Sequence, residues 1–595
     1  MRIEEQPAEN AYASDEDSPM LLNEQTNEET HRETTVIRGP NATIQTIFLT
    51  LCLAGLQFTW TVEMAYGTPY LLSLGLTKSY MSLVWIAGPL SGLIMQPIVG
   101  VISDASTSKW GRRRPFLLGG SIMVVLSLFV IGWTREITWL FTQTEQGDTF
   151  KTVSIIIAIT SIYILDFSVN CVQASCRALI VDSLPPSQQE SATAWAGRMV
   201  GMGNVAGYFM GYANLVKYLP FLGNTQLKVL CVLATIVLLV CDFITCYTVR
   251  EKALDKVTST PKKRSPFKLF ADIFKNIWNL PKPIQRICNV QFFAWIGWFP
   301  FLFYSTTWVA EIYSNTQLEG SDPTEDRVGQ ATRAGSFAFL VYSIVSLSSS
   351  ILLPLIVSSS DEDQEHYTLT LYNGIHLKLN FLKHLKLSFL TLPRSWTISH
   401  FVFCACMMST FFVKDVIAAA IVIGLCGISW AITMWAPFSL LGEFISAQEA
   451  KREPKNTVFG NSRITESQVN LNLARSGIES GIYQPVMTTD DEEDDDEEDI
   501  EMVGVKESHR TGEISGRKAR HEGSSTPAAG VLLGIHNMYI VLPQFLVTFF
   551  SSLIFRLLEN NQGQETPTDT IGVILRIGAI MAAIAGFLSL KIGKP

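Results

Sequence analysis

The segment 155–183 combines the length of a membrane-spanning helix with a row of polar side chains. About 20 apolar residues in a helix are enough to cross the hydrocarbon core of a bilayer, and this segment is longer than that. It nevertheless contains Asp166, Asn170, Gln173 and Arg177, which share one helix face at about 100° per residue. Because an ionisable side chain in hydrocarbon costs at least about 2.5 kcal/mol, we expect this face to line a hydrated path enclosed by protein.

Apolar stretches of similar length recur along the whole chain. Of its 595 residues, 48% are hydrophobic and only 17% are charged, against about a quarter charged in soluble domains. The pattern predicts an all-α membrane protein with twelve transmembrane helices. The predicted spans lie near 45–73, 79–103, 115–133, 152–184, 195–216, 226–249, 286–311, 333–357, 396–413, 416–445, 529–556 and 570–590.

Basic residues in the connections predict how the spans are oriented. The connections at 109–114, 250–275 and 378–394 are rich in Lys and Arg, the opposite connections are poorer in them, and all three lie on one side of a twelve-span bundle. Basic connections face the cytosol, so both termini are expected there. The division between the ninth and tenth spans depends on Lys414 and Asp415 alone.

A basic linker with several prolines divides the chain into two groups of six predicted spans. Such a 6 + 6 arrangement is typical of transporters, which bind their ligands near the membrane midplane between two halves. The predicted units are a disordered acidic cytosolic N-terminus at 1–42, a six-helix half at 43–249, the linker at 250–285 and a second six-helix half at 286–592. Cytosolic insertions at 358–395 and 446–527 interrupt the second half.

The net charge of −9 comes from two short segments. Residues 1–40 hold ten acidic and three basic side chains, and 490–499 is an unbroken acidic run. The rest of the chain is mildly basic, but it has no basic stripe with interleaved aromatic residues, so we expect no nucleic-acid partner. The composition of 446–527 predicts a disordered loop that could bind cytosolic partners through its acidic run.

The sequence contains no pattern typical of an enzyme. It has no nucleotide-binding loop, no metal-ligand cluster and no spacing typical of a catalytic triad, so we expect neither a cofactor nor a metal. Its ten cysteines lie in or beside apolar stretches, where they are expected to be small buried hydrophobic residues.

A second group of functional residues is predicted where the second span ends and the third begins. Asp104 ends one helix, and Gly111 and the arginines Arg112, Arg113 and Arg114 begin the next. Since a guanidinium holds a carboxylate in a fixed geometry, Asp104 could pair with one arginine and lock the cytosolic helix ends. The alternative is that the arginines only anchor the chain as positive-inside residues.

Several motifs together resemble one transporter family. The stretches SDASTSKWGRRRPF at 103–116 and ILDFSVNCVQASCRALIVD at 164–182 are similar to the sucrose/proton symporter group of the glycoside–pentoside–hexuronide cation symporters. That group belongs to the major facilitator superfamily and includes fungal α-glucoside carriers. Further matches lie at 86–97, 294–302, 534–537 and 543–544. The resemblance implies a fold of two six-helix halves.

The resemblance also implies roles for residues of the fourth span. Asp166 matches the family's protonatable acid, which binds the proton and sugar hydroxyls, and Arg177 matches its basic partner. Asn170 and Gln173 match the neighbouring polar positions of the sugar site. The alternative is a structural ion pair between helices, although Asp166 and Arg177 are about 16 Å apart along one helix and should not touch each other.

Other polar residues in the spans are weaker candidates for sugar contact. Gln57 and Glu63 could line the sugar path, but Glu63 could instead lie near the outer interface. Asn537 could bind sugar or join helices. The chain departs from the plant pattern in having 305–307 as Ser-Thr-Thr and Lys78 where plant members carry a histidine, which points to the fungal type of carrier.

The expected function is proton-coupled symport of sucrose, maltose or a related glucoside by alternating access. The expected partners are the sugar, protons and the lipid bilayer. An alternative is a sugar sensor that signals through the loop at 446–527. The plasma membrane is the expected location, and an acidic dileucine pattern at 17–22 leaves a vacuolar membrane possible.

Overall fold

The computed structural model describes nine stretches of the chain and is mainly helical. The described residues are 35–104, 106–251, 280–317, 327–358, 368–370, 376–378, 387–452, 529–559 and 569–592. Most of the predicted acidic N-terminus, of the basic linker and of both insertions lies outside these residues.

The first half of the chain forms helices that run back and forth across the bundle. A short strand β1 (Thr35–Ile37) precedes them, and β2 (Val249–Glu251) follows them. The helices are α1 (Ala42–Ser73), α2 (Lys78–Val84), α3 (Ala87–Asp104), α4 (Arg114–Gly132), α5 (Thr134–Thr142), α6 (Asp148–Ser183), α7 (Pro186–Tyr212), α8 (Leu215–Tyr218) and α9 (Gln226–Thr248), with a 3₁₀ turn at Pro220–Leu222. Helices α2 and α3 follow each other closely and together make one span.

The described part of the second half is also mainly helical, with six long helices. Its helices are α10 (Lys282–Gln317), α11 (Arg327–Ile356), α12 (Leu392–Ser409), α13 (Val416–Arg452), α14 (Ala529–Glu559) and α15 (Thr570–Ser589). Four short strands, β3 (Val357–Ser358), β4 (Thr368–Thr370), β5 (His376–Lys378) and β6 (Leu387–Thr391), lie between α11 and α12. Strand β3 pairs with β6, and β4 pairs with β5.

The twelve predicted spans are confirmed as helices. The described chain has twelve helices of 18 residues or more, and ten spans are long and apolar enough to cross a membrane by length and composition. Helices α7 and α12 complete the set and are the less apolar members. The predicted break between the ninth and tenth spans is also confirmed, since Asp415 accepts a hydrogen bond from the Ala418 amide at 2.9 Å and caps α13.

Packing groups the helices into two halves. In the first half α1 packs on α7 and α9, and α6 packs on α3 and α4; in the second, α11 packs on α13, and α15 packs on α10 and α12. The halves meet where α7 packs on α11, where α2 packs on α14, and where α1 packs on α10. The chain is therefore an all-α membrane protein of two six-helix halves.

The glycines of α7 allow close approach to α1. A Cβ atom added at Gly203 would lie 2.6 Å from the main-chain oxygen of Ala54, closer than carbon and oxygen can approach. In hydrocarbon, where helices gain little from apolar burial, small residues at a contact are a main source of tight packing.

The segment before α1 is ordered where the sequence predicts disorder. Residues Thr35–Ile37 of β1 pair antiparallel with β2, with Thr35 opposite Glu251. The Arg38 guanidinium lies 5.1 Å from the ring centroid of Tyr247 in α9. These contacts join the start of α1, the first span, to the end of α9, the sixth span.

Substitution of Gly203 tests the close contact between α1 and α7. We expect Gly203→Ala to lower the melting temperature of the detergent-purified protein by at least about 3 °C, because the added methyl group forces the helices apart. Gly119→Ala is the matched control, since an added Cβ there meets nothing within 4 Å. Equal melting temperatures for the two variants would show that the contact does not limit stability.

Candidate functional site: a buried carboxyl pair and its amide neighbours

Asp166 lies near the middle of the 36-residue helix α6 and faces the interior of the first half. Its side chain is only 3% exposed, and Asn170 and Gln173, one and two turns further along, are 4% exposed each. The structure thus buries three of the four residues of the predicted polar face, and Arg177 is half-buried.

The side chain that meets Asp166 is a second acid, Glu63 of α1. Its carboxyl group lies within hydrogen-bonding range of the Asp166 carboxyl group, and Glu63 is 5% exposed. Within the described residues, both Glu63 carboxyl oxygens and Oδ2 of Asp166 are buried without a hydrogen-bond partner. Two adjacent negative charges would repel strongly in such a site, whereas one shared proton bonds the two groups. The pair is suited to hold and release a proton.

A ladder of amide side chains continues from the carboxyl pair. The Asn170 Nδ2 atom donates to the main-chain oxygen of Asp166 at 3.0 Å and to the Ser91 hydroxyl of α3 at 2.9 Å. Gln96, also on α3, donates from Nε2 to the oxygens of Asn170 and Gln173 at 3.2 and 3.3 Å. The Gln96 Oε1 atom is buried and has no partner among the described residues. Such a ladder can exchange hydrogen bonds with a polyhydroxylated ligand.

Sequence analysis missed the contributions of Ser91 and Gln96. Both lie in the quoted family stretch at 86–97, but two polar residues in an apolar segment give no sign of which helix they face. Their role depends on the packing of α3 against α6, which periodicity alone does not define.

Two other predicted ligands, Gln57 and Asn537, lie beside different polar side chains. Gln57 donates to Asn204 of α7 at 2.9 Å, and Asn204 also accepts from the Thr61 hydroxyl. Asn537 is half-buried on α14, next to His536, whose ring nitrogen lies 3.3 Å from Nε2 of Gln291. In the described part of the chain, neither Gln57 nor Asn537 is among the partners of the carboxyl pair.

A further membrane-embedded acid, Asp242 of α9, was also missed. It is 1% exposed, and one carboxyl oxygen accepts a hydrogen bond from the Ser121 hydroxyl of α4. The other oxygen has no partner among the described residues. The signal was available, because Asp242 is an ionisable residue within an otherwise apolar span.

The five residues of the predicted gate come together at one face of the bundle, here named the basic face. Arg113 is its centre: it is 3% exposed and bonds to both Asp104 and Ser103. Its Nε atom also donates to Asp182 at the end of α6 at 2.8 Å. Burial disfavours the charged guanidinium, but the carboxylates of Asp182 and Asp104 outweigh burial and raise the pKa of Arg113.

The other two arginines have different partners. Arg112 lies 3.3 Å from Asp182, and Arg114 donates to the main-chain oxygen of Cys246 at 3.0 Å. Glu251 of β2 accepts from the backbone amides of Arg113 and Arg114 at about 3.0 Å and so caps the start of α4. Sequence analysis missed Asp182 and Glu251 as partners of these arginines.

The structure explains why position 111 is a glycine. Its φ angle is +104°, and an added Cβ would lie 2.3 Å from a carboxyl oxygen of Glu251. A side chain at 111 would therefore both strain the turn and displace the cap of α4.

Comparisons with known proteins agree with this architecture. Residues 50–281 match a family model described as MFS/sugar transport protein. The general alpha-glucoside permease of Schizosaccharomyces pombe is 33% identical over 588 residues, which cover 91% of this chain and 92% of that protein. The chain belongs to the MFS sugar transport proteins. It is a multi-pass membrane transporter and not an enzyme.

Plant members of this MFS group match over a shorter range. Sucrose transport protein SUT1 of Oryza sativa subsp. japonica is 33% identical over 322 residues, which cover 50% of this chain and 59% of that protein. Sucrose transport protein SUC3 of Arabidopsis thaliana is 28% identical over 385 residues, covering 53% and 64%.

Solved structures show the same fold at low sequence identity. A D-xylose-proton symporter aligns with a TM-score of 0.50 at 13% identity, over 93% of this chain and 98% of that one. The nucleoside transporter NupG aligns with a TM-score of 0.51 at 10% identity, over 92% and 100%. These likenesses establish the MFS fold and nothing about the ligand.

Alanine substitutions at the basic face test which arginine organises it. We expect Arg113→Ala to lower the melting temperature of the purified protein several degrees more than Arg112→Ala, because it leaves Asp182 and Asp104 without their buried partner. Arg112 is the matched control, since its side chain is 32% exposed and has one partner. A larger loss for Arg112→Ala would contradict the central place of Arg113.

Proposed function

We propose that this protein carries an α-glucoside such as maltose or sucrose across a membrane together with a proton. The observation that carries the proposal is the buried Asp166–Glu63 pair beside a ladder of amides, inside a chain of the MFS sugar transport family. The names of its relatives, an alpha-glucoside permease and sucrose transport proteins, support the substrate class.

The carboxyl pair is the proposed proton site. A proton held between the Asp166 and Glu63 oxygens removes one of two adjacent negative charges, so the site can be enclosed without a large electrostatic cost. Loss of that proton restores the repulsion and favours a conformation in which water reaches the pair. The protonation state would thereby select between closed and open states of the path.

The neighbouring amides are the proposed sugar site. Asn170, Gln173 and Gln96 offer both donors and acceptors, and sugar hydroxyls need both. We include Arg177, Gln57 and Asn537, which the sequence also predicts as sugar ligands, in the wider sugar path. Their half-buried positions are compatible with a path, and no contact to the carboxyl pair is needed for that role.

Alternating access would be produced by rocking of the two halves. The contact of α2 with α14 and the ion pair between Lys78 and Glu311, at 2.7 Å, join the halves at the face opposite Arg113. We name this the opposite face.

Orientation follows from the basic residues. We place the basic face and both termini in the cytosol, and the protein in the plasma membrane, with the vacuolar membrane as the alternative. Asp104, Gly111, Arg112, Arg113 and Arg114 are the proposed cytosolic gate, which holds three helix ends together while the halves move.

A sugar sensor remains the alternative function, and it depends on the acidic insertion at 446–527. Helix α13 continues to Arg452, and the remainder of that insertion lies outside the described residues. Family membership favours transport, and we assign the acidic run to binding of cytosolic partners.

Charge-removing substitutions of the pair test proton coupling. We expect Asp166→Asn and Glu63→Gln each to abolish accumulation of labelled maltose against its gradient, because the shared proton site is lost while the shape is kept. The measurement is steady-state accumulation at external pH 5 and 7 in cells without other carriers, normalised to surface protein. Wild-type accumulation by either variant at both pH values would exclude that residue from the coupling site.

Replacement of 453–522 by a short Gly/Ser linker tests the sensor alternative. We expect the initial uptake rate per surface protein to remain within about threefold of wild type, because the sugar site is built from the spans. A loss of more than about tenfold, equivalent to roughly 1.4 kcal/mol in the barrier, would show that the loop takes part in transport and would favour the sensor.

A further inference from the structure

Serine hydroxyl groups form hydrogen bonds between the two halves, where α2 packs on α14. The Ser79 hydroxyl donates to the main-chain oxygen of Ser552 at 3.0 Å, and the Ser82 hydroxyl donates to the main-chain oxygen of Thr548 at 2.8 Å. The higher residue number in α2 is paired with the lower one in α14, so the two helices run antiparallel. We name this line of contacts the seam.

Gln544 of α14 lies at the inner end of the seam. It is one turn before Thr548, and it faces Gly88 of α3, where an added Cβ would lie 3.3 Å from the Gln544 amide nitrogen. The side chain is 0% exposed. Gly88 leaves room for the amide.

The amide of Gln544 is buried without hydrogen bonds. Neither Nε2 nor Oε1 has a partner among the described residues, although the amide can donate two hydrogen bonds and accept two. Burial of such a group without partners is unfavourable, and an apolar side chain of similar volume would avoid that cost. The arrangement is explained if another conformation of the transport cycle satisfies the amide.

The seam also connects Gln544 to the amide ladder. Ser91 donates to the main-chain oxygen of Gly88 at 2.8 Å and accepts from Asn170 at 2.9 Å. When the halves rock apart at the opposite face, α14 must separate from α2 and α3. That motion uncovers Gln544 on the wall facing Ser91 and Asn170.

We propose that Gln544 binds hydroxyl groups of the sugar when the seam is open, as the second half's counterpart of the Asn170–Gln96 ladder. This deepens the proposed function and rests on it. An amide presents a donor and an acceptor side by side, which fits two neighbouring hydroxyls of a pyranose ring. A sugar held in this way contacts both halves, so closure of the seam follows its binding.

Uptake of monodeoxy sugars by Gln544→Leu tests the proposal. The probes are maltose and a series of its analogues, each with one ring hydroxyl of the non-reducing glucose replaced by hydrogen. For the wild type we expect at least one analogue to lose about tenfold or more in kcat/KM, because a binding-site amide is left without its partner. In Q544L that discrimination should disappear at one hydroxyl, or at two neighbouring ones, and persist at the others.

Two further variants keep the test decisive. Ser552→Ala alters the seam without removing an amide, so its pattern of discrimination should equal that of the wild type. Gln544→Glu keeps the length of the side chain but replaces its NH₂ donor with an acceptor, so it should alter discrimination at the same hydroxyl as Q544L. It replaces Q544L if that variant fails to reach the membrane.

An equal loss for all analogues in Q544L, or a pattern identical to wild type, would overturn the proposal and make Gln544 a structural residue of the seam. Failure of the proposed function looks different, because the wild type would then transport neither maltose nor any analogue. In that case the same deoxy comparison is made with whichever sugars shift the melting temperature of the purified wild-type protein, and an unchanged pattern in Q544L again overturns the role of Gln544.

Discussion

The contact between the carboxyl groups of Asp166 and Glu63 is the interaction on which the arrangement of the first half depends. An acid at the middle of a membrane helix is tolerated only when protein or water surrounds it, and two acids in contact need a shared proton or a compensating charge. Helices α1, α3 and α6 meet around this pair, and the amides of α3 and α6 extend its polar surface. The requirement for a proton at the pair links the packing of these helices to the chemistry of the site.

The two faces of the bundle are held by different kinds of interaction. At the basic face, Arg113 joins the ends of α3, α4 and α6 within one half through carboxylates. At the opposite face, hydroxyl-to-backbone hydrogen bonds and the Lys78–Glu311 pair join the two halves. Contacts of the second kind can be exchanged for water when the halves separate, since each is a single hydrogen bond or ion pair. The carboxylate contacts of Arg113 lie within one half and keep that half rigid while it moves.

Much of the fold could be predicted from the sequence, because hydrophobic length and charge placement act locally. The twelve spans follow from the length of the apolar stretches, the break from Lys414 and Asp415, and the buried polar face of α6 from helical periodicity. The partners of these residues could not be predicted in the same way. Glu63 is more than a hundred residues from Asp166, and Glu251 is also more than a hundred residues from the Arg113 and Arg114 amides that it caps. The sequence offered three adjacent arginines for the gate, and only packing decides that Arg113 is the buried one.

Asp242 could have been found by the same reasoning that identified Asp166. Gln544 could not have been found in this way. What distinguishes it is a buried amide with no hydrogen-bond partner among the described residues, and this is visible only in the folded structure.

The account's central claim is that a sugar and a proton cross the membrane together through one site. The most direct measurement is the movement of protons driven by sugar alone, in liposomes that contain the purified protein and a pH-sensitive dye. With an inward maltose gradient and no initial pH difference, the account predicts acidification of the lumen, and no acidification with Asp166→Asn. Maltose entry at the wild-type rate without any change in lumenal pH would contradict it.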